Sequence, residues 1–255
     1  LRFFFSFLIF IKIIFFQFKK ISFNYKSLFP IVLFGLFQNS IYLSLNFISL
    51  KWINAGLVVT INSLVPLVVF GILFFIFKEK ISKISTLGLV FGCLGILLIF
   101  FINIEKNKLQ FLGIILCFCA TVSISLATVL IKRINNENLL YIISIQMLTG
   151  FVTILPLSFL FENWSIDFNN NFKFSFLYLV LGPGILANYI FLKLSKKIGP
   201  AKASSLHFLN PILGLISANI ILSENILYSN MIIVLTISLA IIFINFEKNF
   251  KNQDY

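Results

Sequence analysis

Two apolar stretches of this chain each place a proline four residues after a polar side chain: Asn62 before Pro66, and His207 before Pro211. Proline has no N–H, so within a helix it leaves the carbonyl four residues earlier without its partner. The freed carbonyls belong to Asn62 and His207 themselves, so each residue offers a carbonyl and a polar side chain together. That chemistry is recognition of a small polar molecule by hydrogen bonds. Other polar groups stand in apolar surroundings. Gln38, Tyr42 and Asn46 recur every four residues with Gly35 on the same side, one face of an α-helix. Thr121, Ser125 and Thr128 make a weaker stripe, and Gln146, Asn188, Tyr189 and Asn210 complete the candidate lining. Taken singly, each could equally be an interhelical hydrogen bond. As a converging set they point to a binding site.

Bond-making chemistry finds little here. His207 is the only histidine, so a multi-histidine metal centre is excluded. Cys93, Cys117 and Cys119 lie in apolar runs without zinc-type spacing. Gly-rich phosphate loops, paired aspartates and nucleophile elbows are absent from the sequence. No catalytic residue, metal or cofactor is expected, and the chain does not read as an enzyme.

The elements that must position these residues are set by composition. Of 255 residues, 60% are hydrophobic and 11% charged, and the mean hydropathy is +1.05. Soluble domains carry about 25% charged residues, so a soluble globular protein is excluded. The net charge of +12 would suggest nucleic acid in a soluble chain, but here the basic residues sit in short connectors between apolar runs. A bilayer core of ~30 Å takes about 20 apolar helical residues. Charge-free windows of that size are 27–50, 52–77, 84–104, 109–131, 138–161, 174–192, 203–223 and 225–246, with a further run at 3–18 holding only Lys12. The runs are apolar all round, which argues against barrel strands. We therefore expect an all-α membrane protein of about nine transmembrane helices. The longest connector runs from Glu162 to Lys173.

Alternating these helices from an outside N-terminus puts fourteen Lys and Arg residues on the cytoplasmic side and five outside, with Lys12 in a span. That bias orients the chain with its C-terminus cytoplasmic. Trp52 and Trp164 then fall near outer interfaces, where aromatic rings are favoured.

The two proline segments also form a repeat. Residues 54–66 read NAGLVVTINSLVP and are followed by Glu79; residues 199–211 read GPAKASSLHFLNP and are followed by Glu224. The offset between the halves is 145 residues, and the topology runs the first of these helices inward and the second outward. Such inverted repeats recur in secondary transporters. Gly182-Pro183-Gly184 interrupts the seventh span as a hinge or broken helix, and Gly88-x-x-x-Gly92 is a close-packing motif suited to helix packing or a homodimer.

In these features the chain resembles the drug/metabolite transporter superfamily, specifically its EamA-type permeases. The resemblance rests on Ala55-Gly56, Pro66, Glu79 and Gly88/Gly92/Gly95, then Ala201/Ala203/Ser204, Pro211 and Glu224. It implies ten helices as two inverted five-helix repeats, with Glu79 and Glu224 as helix-end glutamates. Beside Lys78 and Lys80, Glu79 reads as an interfacial ion-pair residue. Residues 1–104 would be a first repeat lacking its first helix, 109–246 a second repeat, and 247–255 a cytoplasmic tail. The closing helix of the second repeat departs from the pattern in lacking the glycines of the first. The implied activity is a multi-pass permease of the cell inner membrane, moving a small polar metabolite by alternating access. Amino acids, nucleotide-related metabolites and drug-like amines are the substrate classes handled by resembling proteins. The expected partners are that small molecule and membrane lipids, with no nucleic acid. The competing reading is a non-transporting or ion-translocating subunit of a larger complex, which would call for a chain of Lys, Glu or His through the membrane. A membrane-embedded transferase ranks third, because it would need an acidic metal motif.

Two tests follow from this reading. With single cysteines at Asn170 and Asn136, an impermeant thiol reagent should label the first and spare the second in intact cells; the reverse pattern would overturn the orientation. The resemblance also leads us to expect one more hydrophobic helix encoded upstream of Leu1. An in-frame start codon immediately before Leu1, with no apolar run, would rule that helix out.

Overall fold

The structure is a computed structural model describing residues 1–18, 25–78, 87, 88, 90, 91, 94, 98, 108–134, 138–161, 169–222, 235 and 236. The expected spans at 84–104 and 225–246 lie outside these residues apart from isolated positions, as do Glu79, Gly92 and Glu224. Among the described residues the secondary structure is helical throughout, without strands. Five helices among these residues are long and apolar enough to cross a membrane: Ser27–Ser49, Ala55–Phe75, Lys108–Arg133, Leu139–Phe159 and Phe172–Ile198.

In chain order, α1 is Arg2–Phe18. The next span joins α2 (Tyr25–Gly35), a π-turn (Leu36–Ile41) and α3 (Tyr42–Ser49). The third holds α4 (Ala55–Asn62) and α5 (Val65–Phe75). Then come α6 (Lys108–Leu130), ending in a 3-10 turn at Ile131–Arg133, and α7 (Leu139–Phe161). A second π-turn, Gly182–Leu186, links α8 (Asn170–Leu181) to α9 (Ala187–Ile198). Last are α10 (Pro200–Ser204), a 3-10 turn (Ser205–Phe208) and α11 (Leu209–Leu222).

Local chemistry explains the boundaries. Helix starts leave backbone N–H groups without partners, and asparagine supplies them three times. Asn54 Oδ1 accepts from Leu57 N–H at 2.9 Å, Asn138 Oδ1 from Leu140 N–H at 2.9 Å, and Asn169 Oδ1 from Phe172 N–H at 2.7 Å. The last cap starts α8 inside the stretch expected to be a connector. At the end of α9, Gly199 takes φ +86°, where a side chain would be strained.

At two of the expected helix interruptions the structure gives the backbone a definite form. Pro66 does not kink a helix from within: α4 stops at Asn62, Ser63 and Leu64 turn, and Pro66 stands in the first turn of α5. A proline costs nothing there, because that N–H has no helical partner anyway. At Gly182-Pro183-Gly184 a π-turn interrupts the α-helix, and the span continues through it from Phe172 to Ile198. In an α-turn the ring of Pro183 would meet the carbonyl of Leu179, and the wider turn lets the chain pass around it.

The chain divides into two compact units, each drawn from both halves of the sequence: Leu1–Ile41 with Leu130–Gly199, and Tyr42–Val129 with Pro200–Tyr255. In the first unit, α1, α2 and the first π-turn pack on α7, and α1 also meets α8 and the second π-turn. Ile31, Phe34, Ile142, Ile143 and Met147 are buried there. Glycines set the approach of the backbones. A Cβ at Gly35 would lie 2.9 Å from Gln146 Cα, and one at Gly150 would lie 2.8 Å from Asn39 Cβ. In the second unit, Leu57, Ile61, Leu64 and Leu67 form a core with Ile114 and Cys117, while Val65, Val69 and Leu73 pack with Ile124 and Val129. There α11 crosses α4 with Gly214 against Val59.

Close glycine packing has a measurable consequence. Gly35→Ala should lower the stability of the detergent-solubilised protein by about 1–3 kcal/mol, the cost of overpacking. Gly71→Ala, with nothing within 4 Å of the added Cβ, should be neutral or slightly stabilising, by up to ~1 kcal/mol of helix propensity. Thermal unfolding of both variants beside the parent checks this, and equal melting of all three would refute the packing assigned to Gly35.

Candidate functional site

In the first unit the polar groups gather at the π-turns. Consecutive polar residues Gln38, Asn39 and Ser40 cannot share one face of an α-helix, and the π-turn distributes them. Gln38 Nε2 donates to Asn188 Oδ1 at 2.6 Å, and Asn188 Nδ2 donates to the carbonyls of Pro183 and Gly184, both at 3.0 Å. Asn188 thus holds the second π-turn while receiving a bond from the first. Asn39 Nδ2 donates to the Gln146 carbonyl at 3.0 Å, and Gln146 Nε2 donates to Asn39 Oδ1 at 3.3 Å. The Ser40 and Thr153 hydroxyls bond each other. Asn39, Ser40, Gln146 and Asn188 are buried; Gln38 is half-buried.

In the second unit the polar groups gather where α4 gives way to α5. Asn46 Oδ1 accepts from Asn62 Nδ2 at 3.2 Å and from Cys117 Sγ at 3.4 Å. Asn62 Oδ1 in turn accepts from Thr121 Oγ1 at 3.1 Å. Ser125 Oγ donates to the Val65 carbonyl at 3.3 Å, beside the proline, and Ser63 Oγ donates to the Thr60 carbonyl at 2.6 Å. All these side chains are buried, and all are neutral amides, hydroxyls or a thiol. On the α10–α11 side, His207 Nδ1 lies 2.9 Å from Asn210 Nδ2.

The expected lining residues therefore divide between the units. Gln38, Gln146, Asn188 and Tyr189 fall in the first; Tyr42, Asn46, Asn62, His207 and Asn210 fall in the second. Gln38 and Asn188 are brought together, as are Asn46 and Asn62, and His207 with Asn210. Asn62 spends its carboxamide on Asn46 and Thr121. Tyr42 packs against the Val65–Val69–Leu73 cluster. The Tyr189 ring lies 5.9 Å from Lys193 Nζ, a cation–π contact. The α-helical period aligning Gln38 with Tyr42 and Asn46 does not run through the π-turn. Sequence reasoning passed over Asn39, Ser40, Thr153 and Cys117. The run Gln38-Asn39-Ser40 was the available signal, three polar neighbours that no single helical face can hold. The groove lined by Phe5, Leu8, Ile9, Phe176, Leu177, Val180 and Leu181 is apolar and includes none of these polar residues in its lining.

Long apolar helices around neutral polar clusters, with large hydrophobic side chains such as Phe75, Phe174 and Ile220 exposed, define a multi-pass α-helical membrane protein. The model of the EamA-like transporter family matches residues 1–101 and 111–246, and the chain belongs to that family. It is 26% identical over 183 residues to "Uncharacterized transporter YoaV" of Bacillus subtilis (strain 168), covering 66% of this chain and 62% of that protein. This chain thus spans less than two thirds of that relative. It is also 24% identical over 213 residues to "Protein PecM" of Dickeya dadantii (strain 3937), covering 82% of this chain and 71% of that one. A solved crystal structure, described only as that of a protein, shares the fold with a TM-score of 0.64 at 16% identity, over 87% of this chain and 77% of the other.

Proposed function

We propose that this protein is a transporter that moves a small polar metabolite across the cell inner membrane by alternating access, with its C-terminus in the cytoplasm. The observation that carries the reading is the pair of buried clusters, Gln38–Asn188 with Asn39–Gln146, and Asn46–Asn62–Thr121, formed of neutral donors and acceptors at irregular backbone. Neutral groups suit a substrate that must be released as readily as it is taken up. A fixed charge in the membrane interior carries a heavy desolvation cost. The Lys and Arg bias of the connectors supports the orientation. The substrate class comprises amino acids, nucleotide-related metabolites and drug-like amines. Gln38, Tyr42, Asn46, Asn62, Gln146, Asn188, Tyr189, His207 and Asn210 are the residues proposed to meet it. Lipids surround the chain, and Gly88 with Gly92 is the proposed homodimer contact.

Uptake of a labelled panel of those three classes into proteoliposomes tests the function, and no uptake above protein-free liposomes for any member would contradict it. Asn62→Ala and His207→Ala test the residues. A lost hydrogen bond to a charged or polar substrate costs about 1.5–3 kcal/mol, so each variant should transport roughly tenfold to a hundredfold more weakly at parental expression. Normal transport by both would make these two residues structural only.

A further inference from the structure

The two π-turns occupy matching places in the two halves of the chain. The 145-residue offset that relates Pro66 to Pro211 carries residues 37–41 onto 182–186, all but the first residue of the first turn onto the whole of the second. They are also joined directly. Gln38 of the first turn donates to Asn188 Oδ1, and the same carboxamide donates to two carbonyls of the second. One side chain thus senses both turns.

Beside each turn stands a fully buried side chain with a polar atom that finds no partner among the described residues. At the first it is Gln146 Oε1, whose Nε2 reaches Asn39. At the second it is Ser6 Oγ, 3.0 Å from the place a Cβ on Gly184 would take. Buried polar atoms are rarely left unmatched, and those that are call for an explanation. A backbone that exchanges between two arrangements provides one, because groups unpaired in the first can be paired in the second.

The sequence supports a second arrangement independently. A π-turn absorbs one residue more than an α-turn. Converting it therefore turns the following chain by one residue, about 100° and 1.5 Å. Gln38, Tyr42 and Asn46 line up on one face only if the helix is α throughout. Their spacing fits the converted helix, whereas the structure shows the π form.

We propose that the two π-turns are a coupled pair of convertible turns, with the Gln38–Asn188 hydrogen bond as the latch that holds both in the π form. Conversion of the first turn carries Gln38 off Asn188 and Asn39 away from Gln146, freeing both carboxamides. Loss of the bond to Asn188 loosens the side chain that ties down Pro183 and Gly184, so the second turn follows. Both turns and the latch lie within one compact unit, and the proposal stands whatever substrate the protein carries.

Hydrogen exchange read by mass spectrometry on the full chain in lipid nanodiscs, without substrate, tests the coupling. Gln38→Met keeps the side-chain length and removes the donor. It should speed amide exchange at 182–186 roughly tenfold, the scale of one lost hydrogen bond, while residues 142–147 of α7 keep the parental rate. Asn188→Leu should speed exchange at 36–41 in the same way, and decides the matter alone if Gln38→Met does not accumulate. A change confined to the mutated turn overturns the proposal. So does a rise spread evenly over 142–147, or a parental rate at both turns as slow as that of α7.

Discussion

A peptide group in hydrocarbon has no water to bond, so wherever the backbone leaves the α-helical ladder a nearby group must complete it. Much else in this structure follows from that constraint. The chain departs from the ladder at both π-turns and at the Ser63–Leu64 turn, and a short polar side chain stands at each. Asn188 answers the carbonyls of Pro183 and Gly184, Ser125 that of Val65, and Ser63 that of Thr60. Asn39 and Gln146 brace the first π-turn against α7. Some polar residues of the interior therefore mark the places where the backbone is irregular, while others, such as Thr128 and Ser144, bond carbonyls within regular helices.

The same constraint shapes packing and function together. Side chains as short as Asn and Ser reach a neighbouring backbone only if helices approach closely, which is what Gly35 and Gly150 permit at α7. Close approach, neutral hydrogen bonds and irregular turns occur together in this interior. Interhelical bonds in membranes average about 0.6 kcal/mol, so several hold one state while any single one is readily exchanged. A buried ion pair would resist that exchange far more strongly.

The spans were legible because apolar runs and connector charges act at the scale of whole helices. The window 27–50 became Ser27–Ser49, and 52–77 became Ala55–Phe75. The family was legible in the repeated Pro and Glu positions. The sites were legible as residues but not as partnerships. Gln38 and Asn188 stand 150 residues apart, and no local period predicts their bond. Helical period placed Gln38, Tyr42 and Asn46 together because it assumes 3.6 residues per turn, which fails at Leu36–Ile41. Cys117 read as an apolar residue, yet its thiol bonds Asn46. Tertiary packing of α7 against the first π-turn decides the rest, and sequence spacing carries no record of it.

The claim that side-chain carboxamides hold the irregular backbone is tested most directly by a double-mutant cycle on Asn39 and Gln146. Asn39→Leu, Gln146→Leu and the double variant would be compared by thermal unfolding in the same lipid. The account predicts a coupling energy of about 1 kcal/mol, within the range of up to ~1.7 kcal/mol measured for interhelical bonds in membranes. Additive single effects, with coupling near zero, would contradict it.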